Sequence, residues 1–258
     1  SNRLRRVDIF LLLYARELLT PPAPFNAKAF VVDLGYGEEA TTVIEMASRL
    51  RAVNPHIPVL GVEIDPKRVN NALPYQDDYT QYRLGGFNLP LLPGESARII
   101  RAFNVLRQYP EDEVLPAWHT MAQSLADNGL LIEGTSDPYG KIWTANILRR
   151  KAQTLVYEGL LFSTNFRWGF SPELFQPVLP KNYIHRMQEG EPIFHFIAAW
   201  KQAVQASIAY RQGGLRTWFR QSAVYLNDNQ FSIQLSKRLL DKGFLFWRWN
   251  QPVPPLED

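Results

Sequence analysis

The sequence contains no cysteine, which excludes disulfides, thiolate metal sites and any cysteine nucleophile. That absence fits a reducing compartment, and a cytoplasmic location is the expectation. Histidine is scarce, with four residues in 258. None of them forms a cluster at metal-ligand spacing, so no metal site is expected. Neither sign of charge dominates. The 28 basic and 25 acidic residues leave a net charge of +3, too small an excess for a dense nucleic-acid-binding face. No apolar run approaches the roughly 20 residues of a membrane span. The candidate Ile9-Phe10-Leu11-Leu12-Leu13 follows Arg3, Arg5 and Arg6, but Asp8, Arg16 and Glu17 interrupt it, and no small-residue cleavage site follows. Residues 7–19 are therefore expected to form an amphipathic helix packed on the domain.

Hydrophobic residues make up 46% of the chain and charged residues 21%, a globular balance. The length suits one large α/β domain or a core with an appendage. Thr20-Pro21-Pro22-Ala23-Pro24 cannot continue a helix, which makes residues 1–24 a helix with a proline-rich linker. Residues 25–170 are expected to form the ligand-binding core. Residues 171–258 are expected to add a helical region and a closing strand to the same domain.

Within the core, Ala29–Leu34 is a short apolar run bounded by turn residues, the pattern of a strand buried on both faces of a parallel sheet. Val43, Ile44, Ala47 and Leu50 then recur at helical spacing. Pro58–Glu63 is a second strand, and Asp65-Pro66 starts a second helix with an N-cap and a first-turn proline. Further strands are expected near Gln81–Leu84, over Ala97–Phe103 and, after an Asn128-Gly129 turn, over Leu130–Glu133. A helix carrying Val114, Trp118 and Met121 lies between the last two, and no full helix is expected between the third and fourth strands. Beyond Asp137-Pro138 the pattern predicts a strand over Gln153–Phe162 and helices over Ile193–Ile208, Leu215–Leu226 and Phe231–Lys242. Phe244–Trp249 is read as a closing strand. The alternation of strands and helices predicts right-handed crossovers and a mostly parallel sheet.

The chemistry concentrates after the first strand. Asp33-Leu34-Gly35-Tyr36-Gly37 supplies glycines where a backbone must turn and approach a ligand, and Glu63 ends the next strand, where an acid can accept from ribose hydroxyls. Two cofactor classes share this layout. A dinucleotide needs its pyrophosphate over the glycine turn, but Glu38-Glu39 follows that turn. Like charges at about 4 Å cost about 1 kcal/mol even in water. A sulfonium cofactor without phosphate meets no such repulsion.

These residues resemble the first motif of class I S-adenosylmethionine-dependent methyltransferases, and Val59–Asp65 resembles the second. Ala102–Leu106 and Gly129–Glu133 resemble the fourth- and fifth-strand regions of that family, so the resemblance covers roughly residues 29–137. It implies an α/β, Rossmann-like, doubly wound sheet with helices on both faces. It also implies S-adenosylmethionine as cofactor, held by Asp33, Gly35, Tyr36, Gly37, Glu63, Ile64, Gly86, Phe87, Asn104 and Val105. Asn104 would lie nearest the transferring methyl. There are departures. Glu39 replaces the loop's third glycine, and Gly85-Gly86-Phe87-Asn88 lacks the acid usual near the adenine. The fourth-strand Asn104-Val105-Leu106-Arg107 is not the Asn/Asp-Pro-Pro-aromatic motif of amino-directed base methyltransferases.

The methyl acceptor is not named by any motif. A small molecule is favoured over RNA, and positioning alone can supply much of the rate. His185 is the candidate base and His195 its alternative. His56 is expected in a loop, and His119 on the polar side of its helix. Glu133, Ser136 and Asp137 follow the fifth strand, where an acceptor would approach. Turn chemistry explains Asp137 equally well. Trp200, Trp218, Trp247 and Trp249 are read as core. Arg149-Arg150-Lys151 is read as a solvated helix end that could otherwise meet a phosphate. The rival readings are a cofactor-binding or nucleic-acid/partner-interaction module without catalysis and, further off, an aminopropyltransferase.

Overall fold

In the computed structural model the described residues are 3–20 and 28–256. The proline-rich segment 21–24 and the expected boundary after it lie outside them. Helix α1 (Arg5–Tyr14) breaks at Ala15 into the short α2 (Arg16–Leu19). Then come β1 (Ala29–Leu34), α3 (Thr41–Arg51), β2 (Val59–Glu63), α4 (Pro66–Ala72), β3 (Thr80–Leu84) and β4 (Ser96–Phe103). All residues of β1 and β2 are buried, as their unalternating apolar runs predict. Asp65 caps α4 by accepting from the Lys67 amide at 2.8 Å, with Pro66 in the first turn. No helix joins β3 to β4.

Helix α5 (Val114–Gln123) leads into β5 (Leu125–Ser136), which is longer than expected. Asn128-Gly129 is not a turn before the strand. It is an irregularity inside it, where Ala97 pairs with Leu125 but Ile99 pairs with Leu130. Asn128 takes a positive φ there, so the strand absorbs the extra residues as a bulge and continues.

The remaining elements are β6 (Ile142–Lys151), β7 (Thr154–Thr164), α6 (Lys181–Ile184), α7 (Pro192–Ala206), α8 (Leu215–Asp228), α9 (Lys237–Leu240) and β8 (Phe244–Pro252). The single sheet has the order β3-β2-β1-β4-β5-β6-β7-β8. The first five strands pair in parallel, and β6, β7 and β8 add as an antiparallel meander. Strand β6 was not expected. Its centre carries Thr144 and Asn146, both fully buried, and these polar residues hide the apolar pattern that marks a central strand. Arg149-Arg150-Lys151 is therefore the end of a strand, not of a helix. The expected helix over Phe231–Lys242 is also corrected. Residues 232–234 lie along β8, where Arg248 donates its amide to Ser232 and Gln234 to Phe246. Only Lys237–Leu240 is helical, because the first half of the segment covers an otherwise bare sheet edge.

Alternate residues of each strand divide between two layers. Val31, Ile99, Ile132, Trp143 and Phe246 pack with α1, α2 and α3, while Val32, Ile100 and Leu131 pack with α5. Further along the second face, Leu160, Phe162 and Leu245 pack with α7 and α8. Helices therefore cover both faces. Trp200, Trp218 and Trp247 sit in this last layer as core, as read from their spacing. Among the described residues no helix is long and apolar enough to cross a membrane.

Candidate functional site

The chain runs outward from β1 to β2 and β3, then returns to the other side of β1 as β4. That reversal leaves a crevice beyond the carboxyl ends of β1 and β4, where open α/β sheets take ligands. The crevice is a cleft of about 460 Å³. The end of β1 and the loop after it supply Leu34, Gly35, Tyr36 and Gly37, and the end of β2 supplies Glu63, followed by Ile64. Gly86 and Phe87 come from beyond β3, and Asn104 and Val105 from beyond β4.

Backbone geometry explains the residue types. Gly35 and Gly37 have φ of +68° and +90°, values that L side chains rarely adopt. At Gly35 there is also no room, since a Cβ would stand 2.5 Å from Val105 Cγ2. Both glycine amides are already spent. Gly35 donates to the Val62 carbonyl at 2.8 Å, and Gly37 donates to Glu63 Oε2 at 2.9 Å. Glu63 Oε1 accepts from the Ile64 amide at 2.9 Å, and Arg68 lies 3.6 Å away. This carboxylate, almost entirely buried, thus ties the β1 loop to the end of β2 and faces the cleft. Glu38 and Glu39 are exposed at the approach to α3 and do not line the cleft.

Asp33 is a correction. It does not line the cleft. Its carboxylate accepts from Arg101 Nε at 2.9 Å and Nη2 at 2.6 Å, and from the Thr42 hydroxyl at 2.6 Å. Arg101 also reaches Asp8 of α1, a residue that seemed only to interrupt an apolar helix. Burial works to lower the pKa of Arg101, but Asp33 and Asp8 outweigh it and hold it above the ordinary value. Asp33 therefore braces the loop from behind.

Asn104, in a left-handed conformation with φ +61°, accepts from the Ser136 amide at 3.0 Å and donates to the Ser136 hydroxyl at 3.2 Å. These bonds lock the ends of β4 and β5 together. Asp137 is a turn residue, accepting from the amides of Tyr139 at 2.9 Å and Ile142 at 2.8 Å. Glu133 is buried beneath α5, with Asn146 Nδ2 donating to it at 2.7 Å. Burial pushes its pKa up to about 7 against that hydrogen bond.

His185 is exposed after α6 and lines neither the cleft nor the cavity beside it. His195 is also exposed, on α7. His56 lies in a loop against Tyr79, and His119 Nε2 meets the Pro254 carbonyl at 2.7 Å. Two of the three basic residues are engaged within the fold. Arg149 pairs with Glu158 at 2.8 Å, and Arg150 donates to the carbonyls of Ala122, Gln123 and Leu125.

Sequence reasoning missed several cleft residues, among them Arg3, Arg68, Tyr109 and Glu113. Arg3 donates to the Ser136 hydroxyl at 3.2 Å. Tyr109 meets Phe87 with ring centroids 5.1 Å apart. Their positions depend on tertiary packing, and no local pattern marks them. A second cavity of about 610 Å³ adjoins the cleft at Asn104, with Arg107, Trp168, Leu174 and Val178 among its walls.

No family model matches the chain, and no curated protein matches it. Solved structures show partial similarity. One is a magnesium protoporphyrin IX methyltransferase from Synechocystis PCC 6803 with bound SAH, 18% identical, covering 51% of this chain and 53% of that one at a TM-score of 0.36. The CMeT domain of a citrinin polyketide synthase is 13% identical, with coverages of 53% and 36% and a TM-score of 0.41. A pericyclic reaction enzyme is 18% identical, with coverages of 47% and 30% and a TM-score of 0.37. The matched region thus spans about half or less of each of these proteins.

Proposed function

We propose that the cleft binds S-adenosylmethionine and that the protein transfers its methyl group to a small molecule held in the adjoining cavity. The observation that carries this reading is the Glu63 carboxylate facing the cleft with both loop glycine amides already donated. A pyrophosphate would find no free glycine N–H and a fixed negative charge in its place. A cofactor with hydroxyls and positive charge suits the same surface.

The residues fit that molecule. Glu63 can accept from ribose hydroxyls, and Phe87 and Tyr109 offer an apolar wall to the base. Arg3 and Glu113 bring opposite charges to the cleft, matching a carboxylate and an ammonium. When bound, the cofactor supplies an electrophilic methyl on a sulfonium. The chain's part is to orient: Asn104, fixed by Ser136, stands where the cleft and the second cavity meet. The compartment, the division into residues 1–24, 25–170 and 171–258, and the small-molecule acceptor belong to the same reading.

Calorimetric titration with S-adenosylmethionine, S-adenosylhomocysteine and NAD tests it. Micromolar binding of the first two without the third is the expected result. Binding of NAD alone, or of none, would overturn it.

A further inference from the structure

Resting on that reading, we propose that the second cavity takes an apolar molecule ending in a carboxylate, paired with Arg107, and that this carboxylate is the methyl acceptor. The walls contributed by Ile142, Leu174 and Val178 are apolar, and Trp168 stands exposed at the opening. Such a lining recognises an apolar body, and its few polar groups select the head.

The charges at the cavity are unequal in availability. Both oxygens of Asp137 accept backbone amides. Glu173 is engaged by Ser171 and by Lys201 at 3.1 Å. Arg107 has one hydrogen-bond partner among the described residues, the Pro177 carbonyl at 2.6 Å. That neutral carbonyl holds the guanidinium without cancelling its charge. Arg107 is the one cation lining the cavity among the described residues, and a planar guanidinium matches a carboxylate.

The junction between cleft and cavity points to the same chemistry. Asn104 and Ser136 are hydrogen-bonded to one another there. Among the described residues no histidine lines either space. Asp137 is held by two amides, Glu173 by Lys201, and Glu113 is assigned to the cofactor's ammonium. An alcohol or phenol needs a base to take its proton. A carboxylate is already anionic at neutral pH. Its transfer moves no proton. One carboxylate oxygen bonds to the methyl carbon, the carbon–sulfur bond of the sulfonium donor breaks, and its electron pair remains on sulfur as a neutral thioether.

The test is direct binding, read by calorimetry with and without S-adenosylhomocysteine, of 3-phenylpropionate, 3-phenylpropanamide and 3-phenylpropylamine. The carboxylate is expected to bind at least tenfold tighter than the amide or the amine. Arg107→Gln should remove that preference while leaving amide binding and the melting temperature unchanged. Leu174→Glu, which puts a like charge on the cavity wall, should abolish carboxylate binding. Equal binding of amide or amine, no binding of the carboxylate in either condition, or an unchanged preference in Arg107→Gln would overturn the proposal. Carboxylate binding by a protein that ignores S-adenosylhomocysteine would retain the site and sink the donor assignment. The converse result would sink only the acceptor.

Discussion

Arg101 at the centre of β4 and Asp33 near the end of β1 form a buried two-point ion pair, with Nε and Nη2 at 2.9 and 2.6 Å from the two carboxylate oxygens. Asp8 on α1 takes the third side of the same guanidinium. The N-terminal helix, the central strands and the loop that shapes the cleft thus share one charge centre. Arg101→Met would leave two carboxylates buried with one cation lost. It should destabilise the fold by about 3–5 kcal/mol, measured by urea unfolding. A loss below about 1 kcal/mol would mean that the pair contributes little beyond filling space.

Gly35 tests the cleft without removing charge. Gly35→Ala adds a Cβ 2.5 Å from Val105 Cγ2 at a φ of +68°. It should cost about 1–2 kcal/mol in backbone strain alone and weaken S-adenosylhomocysteine binding at least tenfold. Adding Val105→Ala should relieve the overlap but not the φ penalty. Partial recovery of binding in the double variant, followed by calorimetry, is therefore expected.

Glu133 sets a pH dependence. Its pKa in the fold is about 7, above the roughly 4.3 of an unfolded glutamate, so the folded state holds the proton more tightly. Stability from this group is present in full below about pH 4.3 and is lost as pH rises through about 7. Glu133→Gln removes the titration while keeping an acceptor for Asn146. Between pH 5 and 8, wild-type stability should fall relative to this variant by an amount on the order of 3 kcal/mol. Parallel stability curves for the two proteins would show that Glu133 does not titrate in this range.

The parallel half of the sheet was legible because β1 and β2 are apolar runs ending in turn residues, and Asp65-Pro66 announces its own helix. The cleft was legible for the same reason: Gly35, Gly37 and Glu63 occur at strand ends, so a linear pattern encodes their position. Asp33 and Arg101 were not, since their partnership spans two strands and a distant helix. Strand β6 escaped because Thr144 and Asn146 are buried polar residues paired through the fold. His185 looked chemical only as one of few histidines, whereas Arg107 and Arg3 owe their places to tertiary packing alone.

The measurement that bears most directly on the central claim is S-adenosylhomocysteine binding by wild type and Glu63→Ala, with melting curves confirming that both are folded. Loss of the hydrogen bonds from this carboxylate should weaken binding by about 1.5–3 kcal/mol. Unchanged affinity in a folded Glu63→Ala protein would contradict the assignment of this cleft to the cofactor.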